Sequence, residues 1–191
     1  LTIADADGQR GLDQDGSPAE TTLTIRIGDV NNSVAAPDTG DGTVVSEDGL
    51  PARGDEPEGT QEATNSETTT GTITFNSPDG VGSVTIGGVT LTPGSLPQTI
   101  VSDATGTLVI TDYTYDPVTG DGTITYEYTL GDNTSGDGNT AEFEVVVTDL
   151  DGDSAEDTLV ITILDDAPLA NDDFASQTVE NAAVTVDVYP N

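Results

Sequence analysis

Residues 141–164 read AEFEVVVTDLDGDSAEDTLVITIL. Phe143, Val145 and Val147 recur at every second position, and after an acidic turn Leu159, Ile161 and Ile163 do the same. Successive side chains of an extended chain point to opposite faces, so a two-residue apolar period marks a strand with one buried side. The stretch reads as two strands, 141–148 and 158–164, joined through Asp149, Asp151, Gly152 and Asp153.

The same period continues upstream, at 71–76, 83–86, 89–92, 107–113 and 122–130. These runs are rich in Thr, Val and Ile, which suit a pleated, half-buried surface. Turn chemistry separates them, at Pro78-Asp79-Gly80, at Gly87-Gly88 and across 117–122. No stretch of useful length shows a helical period. Seven short strands at this spacing predict an all-β fold, an antiparallel β-sandwich of immunoglobulin-like type. Residues 51–70 break the pattern with Asp55, Glu56, Glu58, Glu62, Glu67 and a run of threonines. They read as a solvated excursion, with docking as a second use.

The hairpin motif occurs twice. Residues 1–8 read LTIADADG and residues 145–152 read VVVTDLDG, so Asp5 matches Asp149 and Asp7 matches Asp151 at an offset of 149 − 5 = 144. Leu23, Ile25 and Ile27 match Leu159, Ile161 and Ile163 at 159 − 23 = 136, so the first copy carries 144 − 136 = 8 extra loop residues. Internal similarity of this kind predicts tandem repeats. Residues 1–33 read as the closing hairpin of a preceding repeat, 34–166 as a complete repeat, and 167–191 as the opening of the next. A lone hairpin is marginal in water, so both ends are expected to dock on neighbouring repeats or on identical chains end to end.

The 191 residues carry 36 Asp plus Glu against 3 Lys plus Arg, a formal charge of −33. Most carboxylates can find no basic partner on the chain, and this self-repulsion opposes folding unless a cation comes from outside. The same field repels nucleic acid and anionic membranes. Alone, the acidity also fits disorder or salt adaptation, but the ordered alternation speaks against disorder. No Cys or His is present, which excludes disulfides, thiolate nucleophiles, zinc sites and imidazole bases. No apolar run reaches membrane-spanning length. No catalytic constellation stands out, so the chain is not read as an enzyme.

Asp-x-Asp-Gly recurs at strand ends, as Asp5 with Asp7, Asp13 with Asp15, and Asp149 with Asp151, the last followed by Asp153. Alternate carboxylates in a tight turn can converge, and six to eight hard oxygens at about 2.3–2.6 Å are what Ca²⁺ takes. Asp and Gly are also ordinary turn formers, but two of the three occurrences fall in register across the repeat. The loop is not an EF-hand, since Ser154 and Val160 stand where Gly and Glu are required. A second acidic group marks the expected joints: Asp29 with Asn31 and Asn32, then Asp165 and Asp166, then Asp172 and Asp173 after Asn171. Glu20, Glu47, Asp48, Glu156 and Asp157 are candidates to complete such sites. Tyr113 and Tyr115 are expected to meet Tyr126 and Tyr128 across a hairpin, as a packing cluster or, alternatively, a sugar platform.

A resemblance rests on VVSEDGLP at 44–51, VTLTPG at 89–94, GTL at 106–108, ITDY at 110–113, TITYEYTL at 123–130, VTDLDG at 147–152 and 163–168. Together these resemble the repeats of giant type I-secreted RTX-type adhesins of Gram-negative bacteria. The stretch Ala170-Asn171-Asp172-Asp173 through 191 resembles the start of cadherin-like repeats. The resemblance implies an extracellular, calcium-dependent extender module at the bacterial cell surface, supporting adhesion and biofilm. Two alternatives stand beside it: a module that binds surface glycan or protein, and a filament subunit assembling by strand exchange between chains.

Overall fold

The computed structural model describes residues 30–136, 138–166 and 180. In chain order its strands are β1 (Ser33–Ala35), β2 (Val44–Ser46), β3 (Thr68–Asn76), β4 (Val81–Ile86), β5 (Val89–Thr90), β6 (Gln98–Ser102), β7 (Gly106–Tyr115), β8 (Asp121–Leu130), β9 (Asn139–Asp149) and β10 (Ser154–Leu164). They form two five-stranded sheets, β1-β3-β8-β7-β6 and β2-β10-β9-β4-β5. The all-β sandwich expected from the alternation is what the chain adopts. One pairing departs from the antiparallel expectation: β2 runs parallel to β10, with Val44 opposite Thr162 and Ser46 opposite Leu164. No helix among the described residues is long and apolar enough to cross a membrane.

The inward residues of both sheets make one core. Ile73, Ile124 and Leu108 from one sheet and Val145, Leu159 and Ile161 from the other have no measurable exposure. Burying each large aliphatic side chain stabilises the fold by about 1.5–3 kcal/mol. Glycines make room for aromatic rings. Phe75 lies directly opposite Gly122, and a Cβ on Gly122 would fall inside its ring. Tyr126 lies opposite Gly71 and covers it in the same way. Phe75 also stacks on Tyr113 and Tyr115, with ring centroids 6.0 and 6.1 Å away.

The expected tyrosine patch does not form. The register set at the β7–β8 turn places Tyr115 opposite Gly122 and Tyr113 opposite Ile124, and past a bulge between Ile110 and Asp112 Tyr126 pairs with Ile110 and Tyr128 with Leu108. Tyr126 and Tyr128 sit in the core at 0 % and 1 % exposure, and the Tyr126 hydroxyl donates to the Gly42 carbonyl at 2.9 Å. Tyr126 and Tyr128 are packing elements without a free face, whereas Tyr113 and Tyr115 are half-buried and line a surface cavity with Val84 and Leu91.

The segment 51–70 is also more constrained than its composition suggests. Buried Leu50 anchors its start, the Gly59 amide donates to the Leu50 carbonyl at 2.8 Å, and Thr68 already belongs to β3. A Cβ on Gly59 would collide with the Glu47 and Asp48 carbonyls, so close backbone approach holds this loop down.

Candidate metal centre

The β9–β10 turn carries the only acidic group of metal-binding geometry found among the described residues. One carboxylate oxygen from each of Asp149, Asp151 and Asp153 lies within 4.8 Å of the others. The turn is built by its own backbone. Asp149 N donates to the Asp153 carbonyl at 3.0 Å, and Asp149 Oδ1 accepts from the Gly152 and Asp153 amides at 2.9 Å each. Gly152 has φ +107°, a conformation glycine adopts without steric cost. Asp149 is buried at 3 % exposure, while Asp151 and Asp153 face solvent.

Asn32 arrives from the segment leading into β1. Its Nδ2 donates to Asp149 Oδ2 and to the Asp153 carbonyl, both at 2.9 Å, and its Oδ1 is a buried oxygen with no hydrogen-bond partner. The three carboxylates are oxygen donors, which suit a hard cation and not a thiophilic one, while Asn32 faces them with its Nδ2 and would offer an oxygen only with its amide turned over. These residues could hold a metal ion.

The electrostatics agree with that chemistry. Asp149 is held down from the ordinary 3.8 to about 2, first by the side-chain hydrogen bond shared with Asp151. Burial opposes this, and the Asn32 amide and the Gly152 and Asp153 N–H groups reinforce it. Two carboxyl groups at hydrogen-bond distance need a positive particle between them, a proton or a cation. Because the folded value lies below the ordinary one, ionised Asp149 stabilises the fold. That contribution is complete above about pH 4 and is lost as pH falls through about 2. We expect the Asp149 carboxyl carbon to titrate near 2 by NMR in chelator, and Asn32→Ala to move that midpoint upward. A midpoint near 4 in the parent chain would refute the assigned network.

The other sequence-derived candidates fall into two groups. Asp5, Asp7, Asp13, Asp15, Asp29, Asp172, Asp173 and Glu20 lie outside the described residues. Asp165 and Asp166 follow β10, which begins beside Asp153, so eleven strand residues at about 3.3 Å each put them about 36 Å from the turn. Asp166 accepts from the Thr60 amide at 3.1 Å and the Thr60 hydroxyl at 2.6 Å, and Asp165 has an interaction of its own. Glu47 is buried and accepts from the Thr134 amide and hydroxyl at 2.6 and 2.7 Å. Asp48 accepts from Ser66 and Gln61, and Asp157 caps the Ala36 amide. These acids tie loops to the sandwich.

Sequence reading placed Asn32 with the joint residues and not with this turn. The two are 117 residues apart and meet because β1 joins the edge of the sandwich beside the turn. No protein-family model, curated protein or solved structure matches the chain.

Proposed function

We propose that this chain is a calcium-stabilised structural module of a secreted bacterial surface adhesin or extracellular filament, working in tandem with neighbouring copies and not as an enzyme. The observation that carries the reading is the convergence of Asp149, Asp151 and Asp153 beside the Asn32 carboxamide. Its second support is the charge of −33, against which Arg53 is the only basic side chain among the described residues. Arg53 is already committed to Glu56 at 3.1 Å and Asp132 at 3.2 Å. The third support is the in-register recurrence of the Asp-x-Asp-Gly turn and its resemblance to adhesin repeats.

In this reading Asp149, Asp151 and Asp153 hold the ion, and the Asn32 amide turns over to bring Oδ1 in place of Nδ2 as a supplementary oxygen. The ion offsets the mutual repulsion of the three carboxylates and fixes the approach to β1 to the end of β9. Extracellular modules bind Ca²⁺ with dissociation constants near 10⁻⁴–10⁻³ M, so the site would fill only after export.

Isothermal titration with Ca²⁺ at fixed ionic strength tests this. The expected result is saturable binding in that range, weakened about tenfold or more in an Asp151→Asn/Asp153→Asn double variant that stays folded. Equal affinity for Mg²⁺, or unchanged binding in the double variant, would overturn the assignment to this turn.

A further inference from the structure

A cavity of about 210 Å³ opens on the side of the sandwich away from the acidic turn. One wall is the β6–β7 turn with Val101, Asp103, Thr105 and Gly106; the other is the start of β9, from Thr140 to Phe143. Tyr128 lies at its floor and is 99 % buried, since its exposure is 1 %.

The Tyr128 hydroxyl is a buried polar atom with no hydrogen-bond partner. The other inward tyrosines are satisfied, Tyr126 on the Gly42 carbonyl and Tyr115 on the Ser77 carbonyl, both at 2.9 Å. The hydroxyl lies beside Gly106, where any Cβ would strike it, and it feels the Asp103 carboxylate. Three residues of the cavity lining thus converge on one unfilled hydrogen bond. Buried polar groups are satisfied in native proteins, so an orphan beside a cavity points to a ligand atom.

The surroundings narrow its chemistry. Asp103 Oδ1 caps its own turn, accepting from the Thr105 and Gly106 amides at 2.9 and 3.1 Å, and no basic side chain of the described residues is left to neutralise this carboxylate. A sugar ring would need an open aromatic face, but Phe143 and Tyr128 are only 7 % and 1 % exposed. A compact cationic donor on a flexible apolar stem fits better, since Val101, Ala141 and Phe143 supply apolar wall beside the carboxylate.

We propose that this cavity takes a primary ammonium on an alkyl chain, the side chain of a lysine on a partner protein. These 191 residues contain Arg10, Arg26 and Arg53 but no lysine, so the donor does not come from another copy of this stretch. The ammonium donates to Tyr128 Oη and Asp103, and its methylenes lie along Val101 and Phe143.

The test is an amide-resolved NMR titration of the full chain with Nα-acetyl-lysine methylamide at fixed ionic strength, run in excess Ca²⁺ and again in chelator. Saturable shifts centred on Thr105, Gly106, Ala141 and Phe143 are expected in both, so the result does not depend on the metal reading. Acetylating the probe's Nε should weaken binding about tenfold or more, and Tyr128→Phe about threefold to tenfold. Asp103→Asn keeps the turn-capping oxygen and should also weaken it. Tyr128→Phe should melt no lower than the parent, because the hydroxyl it removes has no partner. Shifts that never saturate and spread over every acidic loop, unchanged affinity in Tyr128→Phe, a lower melting point for that variant, or preference for glucosamine over the lysine probe would each overturn the proposal.

Discussion

In 5 mM Ca²⁺ the sandwich should melt about 4–10 °C higher than in chelator at equal ionic strength. A single site with a dissociation constant of about 0.1–1 mM stabilises the folded state by about 1–2.3 kcal/mol at that concentration. For a domain of this size each kcal/mol moves the midpoint by about 3–5 °C. Ionic strength must be matched, because salt screens the self-repulsion of a −33 chain without any site. Mg²⁺ controls for divalent screening, as it resists the dehydration that an all-protein cage demands. Asp151→Asn/Asp153→Asn should remove most of the calcium increment and leave the chelator midpoint unchanged or slightly higher, since it relieves repulsion among carboxylates. Equal melting points in calcium and chelator would sink the calcium reading; equal shifts with Mg²⁺ would reduce it to screening.

Gly122→Ala should cost about 3 kcal/mol, as large an effect as truncating a core side chain. The new Cβ would occupy space held by the Phe75 ring, so the ring must leave its place. Phe75 is 4 % exposed and stacks on both Tyr113 and Tyr115, so it has no free volume to enter. Overpacking a tight core costs about 1–3 kcal/mol, and losing two aromatic contacts adds about 0.5–1.5 kcal/mol each. Urea denaturation should report this as a lower midpoint with an unchanged slope. Adding Phe75→Leu to Gly122→Ala should recover part of the loss. Gly94→Ala, where a Cβ meets nothing within 4 Å, should change stability by less than about 0.5 kcal/mol. If Gly122→Ala is as mild as Gly94→Ala, the glycine–ring packing is wrong.

Much of the sandwich was legible because its strands keep one buried side. β8 and β9 alternate buried and exposed positions along nearly their whole length, so a period-two reading found them. β6 escaped because only Ile100 in Gln98–Ser102 is buried and a bulge between Thr99 and Val101 interrupts its pairing. β1 and β2 are three residues each, too short to show a period. The tyrosine pairing failed because the turn register puts Tyr113 and Tyr115 opposite Ile124 and Gly122, and the pairing of a hairpin follows its turn geometry and not the spacing of its aromatics.

The site was half legible. Asp149, Asp151 and Asp153 fall within a span of five residues in one turn, so local chemistry brings them together. Asn32 joins them only through strand order and register, which no local pattern encodes. Asp165 and Asp166 read as part of a joint distinct from the turn, beside Asp172 and Asp173, which lie outside the described residues. The length of β10 carries Asp165 and Asp166 to the opposite end of the sandwich from the turn, where Thr60 takes up Asp166.

The parallel pairing of β2 with β10 bears on how the module would respond to being pulled. Tension drawn along the chain reaches β2 from its N-terminal end and β10 from its C-terminal end. In parallel strands these two pulls act in opposite directions along the same seam. The ladder from Val44–Thr162 to Ser46–Leu164 is then loaded in shear, with all its bonds strained together instead of opening one by one like a zipper. The core strands between β2 and β10 stay shielded while this clasp holds.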